Sequence, residues 1–167
     1  GPGGTGSAKA GGNYAASLLP QIEAERRGFS QVCFLDTYEE KYLEELGGMN
    51  MFVVMADGSV RTPELSGVIL EGCTRSAILR LLRDDGVGVC EERIALDDLV
   101  AGIRSGAVAE VFACGTAAVV TPISRLASDD FDVELPVGDV TRRIHERLTD
   151  IQMGRAEDPY GWTYRLV

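Results

Sequence analysis

The sequence predicts a mixed α/β or α+β domain built on a mixed sheet. Short apolar runs of strand length alternate with four stretches of helical periodicity, and they are joined partly by hairpin turns and partly by strand–helix–strand connections. A length of 167 residues suits one domain, and 45% hydrophobic residues supply a core.

The elements follow in order. Residues 1–12, GPGGTGSAKAGG, are rich in glycine and read as extended or looped chain. Asn13 is a candidate N-cap for a helix whose apolar stripe is Leu18, Leu19, Ile22 and Ala24, with Pro20 either kinking it or lying just inside its start. Gly28 ends that helix. Residues 31–35 read as a short buried strand. Residues 41–46 and 50–56 are further strands separated by Gly47-Gly48, and Asp57-Gly58 turns the chain into a strand at 60–62. Thr74 is a candidate N-cap for a helix to about Asp85 that turns Ile78, Leu81 and Leu82 inward. A strand at 87–94 follows, then a helix capped by Asp97 or Asp98 and ended at Ser105-Gly106. Strands at 109–114 and 118–123 flank the turn Gly115-Thr116-Ala117. A hairpin-like stretch to Leu135 leads to a last helix at about 138–153, with Val140, Ile144, Leu148 and Ile151 on one face.

Composition excludes several classes of function. Sixteen basic against 26 acidic residues give a net charge of −10, which disfavours nucleic acid and anionic membranes as partners. No apolar run is long enough for a membrane-spanning helix, so a soluble, cytoplasmic protein is expected. The single histidine, His145, reads as a surface or edge residue and precludes a multi-histidine zinc site. Cys33, Cys73, Cys90 and Cys114 lie far apart among small or apolar neighbours and read as small buried hydrophobes in a reducing compartment. No metal site is expected. Gly1 to Gly6 matches G-x-G-x-x-G formally but follows no strand, and there is no P-loop, G-x-S-x-G, H-E-x-x-H or EF-hand pattern.

Four segments carry the chemistry that remains. Lys9 is one of only two lysines and stands among Ala and Gly, where a planar group can approach and burial would favour the neutral amine of a Schiff-base lysine; an incidental lysine in a flexible tail is the alternative. Gly72-Cys73-Thr74 puts backbone N–H groups at a helix start, a ready phosphate site. Glu44 and Glu45 stand beside Gly47-Gly48, where one buried carboxylate would hold a protonated ring nitrogen; two solvated edge glutamates are the alternative. The Gly115-Thr116-Ala117-Ala118 turn presents N–H groups suited to carboxylate or phosphate oxygens, or is an ordinary hairpin.

Taken in order, AKAGGNYAASLL (8–19), YLEELGGMNMFVV (42–54), TPELSGVILEGCTRSAIL (62–79), EVFACGTAAVVTPI (110–123) and LTDIQMGRAEDPYGW (148–162) make the chain resemble the branched-chain amino-acid aminotransferases, fold type IV pyridoxal-phosphate enzymes. The resemblance implies an α+β large domain whose mostly antiparallel or mixed sheet forms a pseudo-barrel with flanking helices. It implies pyridoxal 5′-phosphate held covalently by Lys9, with Tyr14 on the phenolic oxygen and Glu45 on the pyridine nitrogen. Gly72, Cys73, Thr74 and Thr116 fall on the phosphate contacts, and Thr116 and Ala117 on the contacts to the substrate carboxylate. Lys41, in a charged stretch, matches no catalytic position.

The implied reaction is transamination between leucine, isoleucine or valine and 2-oxoglutarate, with Lys9 as anchor and proton carrier. The implied assembly is a homodimer of the full-length protein. Family members place a smaller domain, with an arginine for the phosphate, ahead of the lysine, so residues 1–167 are expected to be the large domain alone, inactive or weakly active by itself. Ala118 and Thr121 stand where some members carry a redox C-x-x-C pair, so no such switch is expected. Other fold type IV enzymes (a D-amino-acid aminotransferase or an aminodeoxychorismate lyase) and a non-catalytic dimerisation or binding module are the competing readings. GGMN and GRAEDPYGW favour the branched-chain group over the first of these, and the retained Lys9, Tyr14, Glu45 and Thr116 argue against the second.

Overall fold

The computed structural model describes residues 1–166; Val167, the last residue of the expected domain, lies outside them. A 3-10 turn at Gly11–Tyr14 precedes α1 (Leu18–Arg26), which leads to the antiparallel pair β1 (Cys33–Leu35) and β2 (Leu43–Leu46). Between those two strands the Asp36 carboxylate accepts the N–H groups of Tyr38, Glu39, Lys41 and Tyr42, which fixes the turn.

The main sheet has five strands in the order β5 (Val89–Glu92), β4 (Val60–Pro63), β3 (Asn50–Met55), β6 (Val108–Gly115) and β7 (Val119–Pro122). Every pairing in it is antiparallel except β4–β5, which is parallel. A parallel neighbour needs a crossover, and α2 (Cys73–Asp84) supplies it. Then come α3 (Leu96–Ser105), the ribbon β8 (Arg125–Ala127) with β9 (Asp132–Glu134), and α4 (Asp139–Gln152). The architecture is the expected mixed α+β one.

Strand alternation divides the core in two. Phe52 and Val54 of β3 and Phe112 and Cys114 of β6 share one face with Ile78, Leu79, Leu81 and Leu82 of α2 and Ile144, Leu148 and Ile151 of α4. Met51, Val53, Val111 and Ala113 point to the other face and pack with Leu43 and Leu46 of β2 and Leu99 of α3. Phe52 and Phe112 are register partners whose rings stack at 5.0 Å, a contact worth roughly 1 kcal/mol beyond the area it buries. On the first face, Glu110 ties the sheet to α4. Its buried carboxylate accepts the N–H of Val140 (3.0 Å) and both the N–H and the hydroxyl of Thr141 (2.8 and 2.7 Å).

Several local expectations change. Asn13 does not cap a helix: Ser17 precedes α1, and Pro20 falls in the first turn, where its missing N–H removes no helical bond. Of the stripe on α1 only Ala24 is partly buried; Leu18, Leu19 and Ile22 stay exposed, at 61% and 63% for the two leucines, because among the described residues no element packs over them. Gly72 rather than Thr74 is the N-cap of α2, and Ala95 is that of α3, which leaves Asp97 and Asp98 in its first turn. Cys114 is buried and Cys33 partly so, but Cys73 and Cys90 are exposed, since one opens α2 and the other lies on the edge strand β5. His145 is exposed on α4.

Candidate functional site

Lys9 sits at the centre of a γ-turn in which the Ala10 N–H donates to the Ala8 carbonyl at 2.9 Å. Asn13 pins this loop from the other side. Its Nδ2 donates to the carbonyls of Thr5 and Ala8, both at 2.8 Å, and the Thr5 hydroxyl donates to its Oδ1 at 2.5 Å. The loop is therefore held by side-chain hydrogen bonds that need Asn13 at that spacing. Lys9 itself is exposed, so the burial expected around its amine is absent.

Two other chain segments meet this loop, and a third contact lies beside them. Gly6 lies against the Val68 carbonyl so closely that a Cβ would stand 2.0 Å from that oxygen. The Tyr14 ring packs on Gly48, 3.6 Å from where a Cβ would be. Glu45 on β2 is partly buried and takes the Leu70 N–H, while Asn50, at the start of β3, donates to the Leu70 carbonyl at 2.9 Å. Burial raises the Glu45 carboxyl above the ordinary glutamate value, and the Leu70 hydrogen bond opposes that shift. Glu44 next to it is raised as well, chiefly by burial and then by the charge of Asp36.

Loop 68–72 ends at the start of α2. Gly72 has φ +71°, and a Cβ there would lie 2.1 Å from Asn50 Oδ1, so only glycine fits. No side chain caps the helix, and its first intrahelical donor is Ser76, bonded to the Gly72 carbonyl at 2.9 Å. The N–H groups that open α2 therefore point out of the helix without a side-chain partner.

A cavity of about 980 Å³ lies against this helix end. Gly72, Cys73 and Thr74 line it together with Thr116 from the β6–β7 turn, Arg80, Leu148 and the C-terminal residues Tyr160, Trp162 and Thr163. Tyr160 stacks on Trp162 at 4.2 Å and its hydroxyl donates to Asp84 of α2, while Asp158 accepts the N–H groups of Tyr160 and Thr163. The four residues expected at the phosphate are thus gathered on one cavity. The uncapped helix start and the glycine-only approach at Gly72 fit a phosphate group. Tyr14, packed on Gly48, and Glu45, beside Leu70, do not line it. Neither Lys9 nor Ala117 lines this cavity. A second groove of about 990 Å³, between α1 and the β8–β9 ribbon, holds none of the expected residues.

Sequence reasoning missed Asn50, Arg75 and the C-terminal wall. The Asn that opens an otherwise apolar strand, and an Arg on the inner side of an amphipathic helix, were the available signals.

Comparison with known proteins identifies the family and the fold. Residues 4–126 match the family model described as amino-transferase class IV. The chain is 50% identical over 171 residues to a branched-chain-amino-acid aminotransferase of Mycobacterium tuberculosis, covering 99% of this chain and 46% of the relative. It is 46% identical over 167 residues to branched-chain-amino-acid transaminase 1 of Bacillus subtilis, covering 98% and 47%. The chain thus spans about half the length of these relatives. Among solved structures, the Escherichia coli branched-chain amino acid aminotransferase superposes with TM-score 0.78 at 37% identity, covering 93% of this chain and 50% of that one. The Thermobaculum terrenum branched-chain amino acid aminotransferase in its PLP-form gives TM-score 0.74 at 29% identity, covering 90% and 46%.

Proposed function

The chain belongs to the amino-transferase class IV family, and on that premise we propose that it is the cofactor-binding large domain of a branched-chain amino-acid aminotransferase. The observation that carries this reading is the cavity joining the uncapped start of α2, Gly72 to Thr74, with Thr116. The names of the relatives support the substrate class.

Pyridoxal 5′-phosphate would supply a carbonyl carbon that takes an amine and a ring that withdraws electrons from the substrate α-carbon. The residues of the chain would bind and orient that group. The N–H groups at Gly72 to Thr74 and Thr116 would hold the phosphate. Tyr14 would orient the ring by a hydrogen bond to the phenolic oxygen of the cofactor. Glu45 would hold the proton-bearing ring nitrogen, a pairing that its partial burial strengthens. Lys9 would anchor the cofactor through its amine and serve as the acid and base at the substrate α-carbon. The Thr116–Ala117 turn meets the substrate carboxylate. The substrates are leucine, isoleucine or valine with 2-oxoglutarate. The full-length protein, with a smaller domain ahead of Lys9, works as a cytoplasmic homodimer.

The test is turnover by the full-length protein. It should transfer amino groups from the three branched-chain L-amino acids to 2-oxoglutarate only with pyridoxal phosphate present, and sediment as a dimer. Turnover of D-alanine in place of L-leucine would overturn the substrate assignment.

A further inference from the structure

Arg75 heads the largest fully buried side chains of the described residues, at 2% exposure, although it is charged. It is the third residue of α2, one position past the Gly72–Thr74 cradle. Its Nη2 donates to the Pro63 carbonyl at the end of β4 (3.0 Å) and to Glu91 Oε2 on β5 (2.8 Å). Glu91 also takes Arg83 through its other oxygen at 2.7 Å. Two guanidinium groups therefore share one carboxylate, and the cluster keeps one surplus positive charge. The Arg75 Nε is buried and has no hydrogen-bond partner.

An unpaired buried donor on a surplus charge is costly unless an anion is nearby for part of the protein's working life. The anion is not supplied elsewhere in the cluster. Arg80, the guanidinium that lines the cavity, is already held by both oxygens of Asp84, and Arg75 lies behind that lining. The charge of Arg75 also reaches β6. It is felt at Cys114, where burial pushes the thiol up to about 12 and Arg75 opposes the shift. Cys114 lies two residues before Thr116 and is the register partner of Asn50, whose Oδ1 abuts Gly72.

We propose that Arg75 is a positioning residue for the cofactor phosphate, fastening the first turn of α2 to the β4–β5 edge and supplying, from beneath the cradle, the buried positive charge that balances the phosphate. This rests on the cavity being the phosphate end of the cofactor site. It answers a difficulty posed by the composition, since a protein of net charge −10 has to hold a multiply charged anion.

The experiment compares binding of pyridoxal 5′-phosphate and of pyridoxal, which lacks the phosphate, to the full-length protein, read by absorbance titration. Arg75→Met and Arg75→Lys remove or displace the charge, and Glu91→Gln keeps Arg75 while unbalancing its charge further. We expect Arg75→Met to weaken the phosphate ester about tenfold and pyridoxal less than about twofold. Arg75→Lys should fall between Arg75→Met and the unsubstituted protein, and Glu91→Gln should bind the ester as tightly as the unsubstituted protein or more tightly. Equal weakening of both compounds by Arg75→Lys, or a loss in Glu91→Gln matching that in Arg75→Lys, would reduce Arg75 to a scaffold residue and overturn the proposal. Should Arg75→Met fail to fold, those two comparisons still decide. If the unsubstituted protein bound neither compound, the functional reading beneath the proposal would fall with it.

Discussion

Glu110 and Gly138 meet where β6 passes under the start of α4: a Cβ on residue 138 would stand 2.0 Å from the Glu110 carboxylate. The carboxylate has no room to yield, because it is already bonded to Val140 and Thr141. It does the work of an N-cap from another element, since Gly138 offers no side chain of its own.

Gly138→Ala should therefore destabilise the domain by about 1–3 kcal/mol through overpacking and loss of those bonds. Glu110→Gln should cost about the same, because its amide group would face N–H donors. The two share one contact, so the double variant should lose clearly less than the sum. Chemical denaturation of the four proteins checks this; additive losses would separate the two residues.

Val119 is a β-branched residue in the left-handed region, φ +55°, immediately after the Thr116–Ala118 turn. Such a conformation costs about 1–2 kcal/mol outside glycine. Val119→Gly should consequently be within about 1 kcal/mol of neutral, the strain relieved offsetting the packing lost. Val120→Gly, at a buried site in relaxed strand, should cost about 3 kcal/mol or more. Thermal unfolding of the pair tests the contrast, and equal losses would contradict it.

Glu45 gives a pH signature. Burial raises its carboxyl, so the folded protein holds that proton more tightly than the unfolded chain. Its contribution to stability grows as pH falls through the raised value and is complete below the unfolded carboxylate value of about 4.3. With cofactor absent, Glu45→Gln should remove that gain, flattening stability between about pH 7 and about pH 4 without loss at neutral pH. With cofactor present it should lower turnover while leaving some binding. Urea midpoints across that pH range are the readout; unchanged pH dependence would mean that Glu45 is as free as an exposed glutamate.

The two central strands of the main sheet were legible because each is a largely apolar run bounded by glycine or a turn pair, as in Asn50–Met55 before Asp57-Gly58 and Val108–Gly115 after Gly106. The helix start at Gly72 to Thr74, the proposed phosphate cradle, was legible for a similar local reason, as Gly72 breaks the chain just before an amphipathic helix. What escaped was set by partners distant in sequence. Asn13 looked like a helix cap, but its side chain bonds back to Thr5 and Ala8. The stripe on α1 has sound helical spacing, yet periodicity cannot say whether anything packs on it. Nothing near Glu110 announces a buried charge, and the inner-side place of Arg75 on its helix does not say which carboxylate it meets, since Thr141 and Glu91 reach them only once the sheet has formed.

Lys9, presented by its pinned γ-turn, is the proposed anchor of the cofactor. The most direct measurement is to load the full-length protein with pyridoxal 5′-phosphate, reduce it with borohydride and map the modified peptide. The label is expected on Lys9 and absent in Lys9→Ala, which should also have no measurable turnover. A label on Lys41, or on no lysine, would contradict it.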